Sequence, residues 1–312
     1  MIAGFLNLNK PPGWTSGWTS HDCVGRLRRL LRIKKVGHAG TLDPAATGVL
    51  PIAVGRATQL LRFLASDKAY HAVIRLGLTT TTDDLQGTVV KQCSATEVTL
   101  DQITSILPQF LGSIAQVPPR YSAIQVHGQR LYDLARQGQP VEIPARQVTV
   151  HSIDILDWQP GETAELTLAI ACGPGTYIRA LARDLGQMLG PGATLSALKR
   201  TRSNGFCLDD SLTLDQVEQQ LAENRLTLIA PAAVLNHLPA ITLPGDPARR
   251  FCHGQKLCLE QVSVPVGRPL RVLNQANELL GIAQIRAQDT GYQLKPERVM
   301  ATPSLGNSGM TP

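Results

Sequence analysis

The twelve residues Gly37-His38-Ala39-Gly40-Thr41-Leu42-Asp43-Pro44-Ala45-Ala46-Thr47-Gly48 carry three glycines and a proline, too many for any regular element. They read as a loop, set between a helical pattern and the apolar run Val49 to Val54. A glycine-rich backbone permits close approach of a ligand, and Asp43 is the only carboxylate between Val24 and Ala65. An Asp-Pro pair in such a place serves either as a plain turn or as a reactive group, and His38 is equally open.

The remaining pattern alternates short strands with short helices. Phe5 to Asn9 reads as a strand ended by Lys10-Pro11-Pro12-Gly13. A helix is expected from about Asp22 to Arg32, capped by Ser20, with Val24, Leu27 and Leu31 inward and Arg26, Arg28, Arg29 and Arg32 outward. Arg56 to Leu64 reads as helix-like and Lys68 to Leu78 as a strand. Leu100 to Leu107 reads as a helix stopped by Pro108. Gln147 to Trp158 and Glu165 to Cys172 read as strands, and Tyr177 to Leu189, Leu214 to Leu221 and Pro231 to Asn236 as helices. Residues 120–147 have few core positions and read as an excursion from the domain. From about 240 to 300 short β-like runs punctuated by glycines predict a small barrel. Ala301 to Pro312 is polar and expected to fray. The tetrad Gly13-Trp14-Thr15-Ser16 is repeated at once as Gly17-Trp18-Thr19-Ser20.

Charge narrows the partners. Residues 1–62 hold nine basic side chains against two acidic ones, a net +7, whereas the other 250 sum to −1. That asymmetry fits either a solvated basic face or a surface that meets a polyanion. With 43% hydrophobic residues the chain has ample core material, yet its longest apolar runs are far too short for a membrane span. The N-terminus lacks the basic and apolar regions of a signal peptide, and six scattered cysteines form no C-x-x-C. A cytoplasmic protein with reduced thiols is expected. Cys252, His253 and Cys258 fit no zinc spacing, and no P-loop, G-x-G-x-x-G or G-x-S-x-G motif is present. Tyr70, between Lys68 and Arg75, is either a half-buried sheet aromatic or a platform for a base. Arg179 sits in the first turn of a helix, against the macrodipole. It is either a solvated side chain or one with a specific carboxylate or phosphate partner.

Taken jointly, Leu8-Asn9-Lys10-Pro11, the Gly37–Leu50 stretch, Lys68-Ala69-Tyr70, Pro118-Pro119-Arg120-Tyr121-Ser122-Ala123 and Gly175-Thr176-Tyr177-Ile178-Arg179 closely resemble the bacterial tRNA pseudouridine-55 synthases, the TruB family. The likeness covers nearly all of residues 4–236 and, more loosely, the tail segment. It implies an α+β fold with a mixed, largely antiparallel central sheet flanked by helices. Residues 1–236 would form the catalytic domain with an RNA-gripping thumb at about 120–147. Residues 237–300 would form a PUA-like RNA-binding barrel, and 301–312 a disordered tail.

The resemblance also implies a reaction. A uridine in the T loop of tRNA, at position 55, would become pseudouridine by cleavage of N1–C1′, rotation of the uracil and rejoining through C5. No redox change or external group is involved, so no cofactor and no metal are expected. Asp43 resembles the family's essential carboxylate, acting at C1′, at uracil C6 or through a glycal route. Arg179 resembles its arginine partner and Tyr70 the tyrosine that packs on the base and assists proton removal. Leu198 resembles an apolar wall residue, and His38 the residue that fills the space vacated by the flipped base. Lys10, Tyr177, Arg120 and Arg130 complete the expected RNA-binding set. The resemblance implies the T stem-loop of tRNA as partner, and no membrane, no obligatory protein partner and a monomeric chain are expected. A guide-RNA-dependent relative of the dyskerin type and a non-catalytic RNA chaperone are the rival readings. The thumb-like segment argues against the first, and intact Asp43, Tyr70 and Arg179 against the second. In the family a single Gly-aromatic-Thr/Ser-Ser unit precedes the helix, so one copy of the tetrad is expected to bulge into solvent, the alternative being that Trp14 or Trp18 reaches the RNA cleft as an extra stacking platform. Ser20 would then keep the cap, and Lys10-Pro11 would still pack beneath the Asp43 loop.

Overall fold

The computed structural model describes residues 3–12, 18–122, 143–289 and 291–300, together with the backbone of 125–126 and 129–130. The first tetrad of the tandem repeat, most of the expected thumb and the expected tail lie outside the described residues.

The chain runs β1 (Ala3–Lys10), α1 (Ser20–Leu31), β2 (Val36–His38), β3 (Thr47–Gly55), a 3₁₀ segment (Arg56–Phe63), β4 (Lys68–Leu76), β5 (Leu78–Thr80), β6 (Val89–Gln92) and α2 (Leu100–Ile106). There follow β7 (Gly112–Gln116), the short β8 (Gln125–Val126) and β9 (Gln129–Arg130), β10 (Arg146–Gln159), β11 (Glu165–Cys172), α3 (Ile178–Leu189), β12 (Ala193–Ser203) and β13 (Phe206–Cys207). Two helices, α4 (Leu214–Ala222) and α5 (Pro231–Val234), lead to β14 (Ala240–Thr242), α6 (Gly245–Cys252), β15 (Leu257–Leu259), β16 (Pro269–Leu273), β17 (Leu279–Ala287) and β18 (Tyr292–Val299).

The central sheet has the order β1-β3-β12-β4-β11-β10-β7, with β2 on β3 and β13 on β12. Its neighbours are antiparallel except at one seam, where β12 meets β3 in parallel through Lys199↔Thr47 and Arg200↔Gly48. The expected mixed, largely antiparallel sheet is therefore present. β3 is buried on both sides: Leu50, Ile52 and Val54 face α1, while Val49 and Ala53 face Phe5, Leu60 and Phe206. That two-sided burial explains its continuous apolar run. β4 instead alternates, sending Tyr70, Ala72, Ile74 and Leu76 into the core shared with β11, α2 and α3.

Three features depart from the sequence expectations. β12 was not anticipated, because its inward positions include Arg200, 1% exposed, which breaks the apolar alternation that marks a strand. The cap of α1 is Thr19 rather than Ser20. Thr19 Oγ1 accepts from Asp22 N and the Asp22 carboxylate accepts from Thr19 N, so the acid three residues on selects Thr19. The C-terminal segment forms a five-stranded half-barrel in the order β14-β16-β17-β18-β15, but includes the helix α6, whose Phe251 is fully buried. This sheet packs on the first: Ile282 joins the cluster of Phe5 and Val49, and Arg56 Nη2 donates to the Val299 carbonyl at 2.9 Å. Among the described residues no helix is long and apolar enough to cross a membrane.

The seam leaves no room for a side chain. Gly48 has φ +97°, and a Cβ there would lie 2.2 Å from the Arg200 carbonyl oxygen. Gly48→Ala is therefore expected to cost about 2–4 kcal/mol, from backbone strain plus displacement of β12. A lowered thermal unfolding midpoint would register it.

Candidate active site

The Asp43 loop, 39–46, makes almost no ladder of its own and is held from outside. From α1, Ser20 Oγ accepts from Leu42 N at 2.9 Å and donates to the Leu42 carbonyl at 3.2 Å. From the end of β1, the Lys10 ammonium donates to the carbonyls of Pro44 (2.8 Å), Ala46 (2.8 Å) and Pro11 (3.0 Å). From β12, Arg200 donates through Nη2 to the Gly40 carbonyl and through Nε to that of Val49, both at 2.8 Å. A short turn, Ala46 N to the Asp43 carbonyl at 3.1 Å, completes the frame. Asp43 is left with its carboxylate 40% exposed.

Arg179 reaches that carboxylate from the first turn of α3. Its Nη2 donates to Asp43 Oδ1 at 3.1 Å and to the Tyr121 carbonyl at 3.0 Å, and Nη1 donates to the Thr82 carbonyl at 3.1 Å. Nε lies 2.9 Å from Asp43 Oδ2 without aiming its N–H at it, and 3.7 Å from Asp84 Oδ2. A cation at a helix N-terminus is unfavourable, and here two carboxylates and two carbonyls compensate it. The guanidinium is thus fixed rather than free to sweep.

Tyr70 lies on β4 directly opposite Arg200 of β12. Burial pushes its hydroxyl up to about 12, with the nearby Arg200 charge opposing the shift. At neutral pH it is a phenol, fit to pack against a base and to hydrogen-bond but not poised as a phenolate. Together with Thr41, Leu42, Thr176, Tyr177, Ile178 and Leu198, the residues Asp43, Tyr70 and Arg179 line a solvent-open cleft, apolar on the Leu198 side and polar around Asp43.

Five of the expected residues therefore share one cleft: Asp43, Tyr70, Tyr177, Arg179 and Leu198. Lys10 does not. Expected on the RNA surface, it is 0% exposed beneath the loop, where its three protons are used by three carbonyls. Lys10-Pro11 does pack under the Asp43 loop, as the sequence suggested. His38 ends β2, half-buried and off the cleft lining, with its pKa lowered by burial and by the Arg200 and His21 charges. It is a neutral imidazole whose Nδ1 has no partner among the described residues. Arg120 is exposed just beyond β7; Arg130 lies on β9 with its side chain outside the described residues.

Sequence reasoning missed Arg200, Asp84 and Gln116. Arg200 stands two residues after Leu198 on the same strand face, a period-2 relation that only a recognised strand makes visible.

Residues 28–178 match the TruB family pseudouridylate synthase N-terminal domain. Residues 179–238 match the tRNA pseudouridylate synthase B C-terminal domain, and 239–300 match the pseudouridine synthase II TruB C-terminal domain. A tRNA pseudouridine synthase B from Nostoc sp. is 54% identical over 92% of this chain and 96% of its own length. One from Acaryochloris marina is 58% identical over 82% of this chain and 87% of its own. A solved Cbf5-Nop10-Gar1 complex contains a chain that superposes with TM-score 0.74 at 25% identity, covering 96% of this chain and 85% of that one. An H/ACA RNP bound to a substrate RNA containing 2′-deoxyuridine contains another, with TM-score 0.73 at 24% identity, covering 96% and 86%. The chain belongs to the TruB family of tRNA pseudouridine synthases, which are isomerases.

The raised Tyr70 hydroxyl gives a pH signature. A tyrosine that ionises near 10 when unfolded and near 12 when folded stabilises the fold fully below pH about 10, and that stabilisation fades as pH climbs through about 12. Tyr70→Phe is expected to blunt the alkaline fall in stability. Thermal unfolding of both proteins between pH about 9 and 12 measures it.

Proposed function

We propose that this synthase converts the uridine at position 55, in the T loop of tRNA, and that Asp43 is its catalytic carboxylate. The observation that carries the reading is the Asp43–Arg179 pair on one wall of a cleft whose other walls are Tyr70 and Leu198. The reaction is an isomerisation. The N1–C1′ bond breaks, a C5–C1′ bond forms, C5 gives up a proton and N1 gains one. Asp43 works at C1′, at uracil C6 or in forming a glycal; Arg179 orients it in each case. Tyr70 packs on the base, and Leu198 excludes water from the reacting ring. No atom is left over for an external acceptor, so no cofactor is invoked.

The target base leaves the RNA interior to enter this cleft, because its ribose and ring faces are inaccessible while stacked. His38, flat and neutral, lies on β2 beside the loop and is assigned to the space the base vacates. Arg29, Arg32, Lys34 and Lys35 meet phosphates, which gives affinity without sequence choice. Residues 1–236 are assigned to the catalytic domain, 120–147 to a thumb with Arg120 and Arg130 on the RNA, and 237–300 to a PUA-like RNA-binding unit. The enzyme acts alone, as a cytoplasmic monomer.

The test is incubation of the purified chain with an unmodified tRNA transcript and with an isolated T stem-loop, followed by mapping of pseudouridine. Modification at position 55 alone, in both RNAs, is expected. Asp43→Asn is expected to abolish turnover and leave tRNA affinity nearly unchanged, since phosphate contacts elsewhere hold the RNA. Turnover by an Asn protein free of deamidation, or modification at another uridine, would refute the assignment.

A further inference from the structure

α3 starts without a side-chain cap. Tyr177, at the capping position, has φ −102° and ψ 112° and offers no side-chain acceptor to the first turn. What holds this start is Gln116, the last residue of β7, 1% exposed. Its Oε1 accepts from Tyr177 N at 2.8 Å, and its Nε2 donates to the Tyr177 carbonyl at 3.1 Å. The carboxamide thus imitates one rung of an antiparallel ladder. The same carbonyl also accepts from Leu181 N at 3.1 Å, the first bond of the helix.

Two residues after Tyr177 stands Arg179. Five residues after Gln116 stands Tyr121, whose carbonyl accepts from Arg179 Nη2, the same nitrogen that binds Asp43 Oδ1. One short stretch, 116–121, therefore grips α3 at its first peptide and at its guanidinium.

We propose that Gln116 is a positioning residue of the isomerisation, fixing the start of α3 so that Arg179 meets Asp43 and Tyr177 lines the cleft. The proposal rests on the reading of Asp43 and Arg179 as the reacting pair. A carboxamide supplies a donor and an acceptor from one planar group at any pH; an ionised carboxyl accepts only, and a thioether or hydrocarbon does neither usefully. Burial denies water as a substitute, so a mismatch at this point is transmitted to the helix.

The experiment is single-turnover conversion of a tRNA transcript, with tRNA affinity and thermal unfolding measured on the same preparations. At alkaline pH, Gln116→Glu sets a carboxylate oxygen against the Tyr177 carbonyl. The rate constant is expected to fall roughly tenfold to a hundredfold, the effect of one misplaced buried hydrogen bond. The dissociation constant should stay within about twofold, because phosphate contacts dominate it. As pH falls and the introduced carboxyl takes a proton, its O–H regains the donor, so the ratio of variant to parent rate should rise. A parent-like rate constant, a ratio flat in pH, or a loss confined to affinity or to unfolding temperature overturns the proposal. If Gln116→Glu does not fold, Gln116→Asn replaces it, keeping both amide groups but with shorter reach. A slowed rate constant at unchanged affinity then supports the proposal, and a parent-like one overturns it. Activity of the parent chain, and its loss in Asp43→Asn, test the functional reading separately from the variant-to-parent ratio.

Discussion

Two buried cations hold the Asp43 loop, and the site depends on them. Lys10 and Arg200 are each no more than 1% exposed, and neither has a hydrogen-bonded carboxylate partner among the described residues. Their charges are solvated by backbone carbonyls: those of Pro11, Pro44 and Ala46 around Lys10, and those of Gly40 and Val49 around Arg200. A loop rich in glycine and proline leaves many carbonyls unpaired, and a buried cation needs acceptors; each requirement meets the other. Burial lowers the pKa of both groups, while the nearby Asp43 charge opposes the shift. The carboxylate and its supports are thus linked electrostatically as well as through the backbone.

The same arrangement explains the division of labour among three arginines. Arg200 works from below on backbone, Arg179 works from the side on the carboxylate, and Arg183, one helical turn further on, works behind it. Arg183 binds Asp83 at 3.0 Å, Asp184 at 2.8 Å and the Val117 carbonyl at 2.9 Å. The turn carrying Thr82 and Asp84 and the stretch carrying Tyr121 are therefore both fastened to α3. Side chains held by several partners at once keep a single rotamer, the condition for a preorganised site.

Much of this was legible in the sequence, for reasons that can be assigned. The loop announced itself by glycine and proline, β3 by its apolar run, β4 and β11 by alternation, and α3 by its 3.6-residue period. The resemblance to the TruB family, carried by the segments around Asp43, Tyr70 and Arg179, pointed to one site before any fold was known. What escaped was long-range. Lys10 looks like a surface lysine because the carbonyls that bury it lie 34 and 36 residues away. β12 was hidden by Arg200, whose burial depends on a loop some 160 residues earlier. Gln116 finds Tyr177 61 residues on. The cap of α1 was a different kind of miss: the tandem repeat offered Thr19 and Ser20 side by side, and Asp22, three residues after Thr19, carried the answer locally.

The basic N-terminal segment means less than its charge suggests. Of its nine basic residues, Lys10 is buried, Arg26 pairs with Glu218 and Arg62 with Glu297. Arg28 and Arg56 spend a guanidinium nitrogen on the carbonyls of Val36 and Val299. Four exposed side chains, Arg29, Arg32, Lys34 and Lys35, have no side-chain partner among the described residues. Each phosphate met by such a side chain releases its condensed counterions, so this face can contribute a salt exponent of only about −4 to the binding of any duplex. More than half of the basic side chains in the first 62 residues are thus engaged within the chain, so the segment's net charge overstates the salt dependence this face can give.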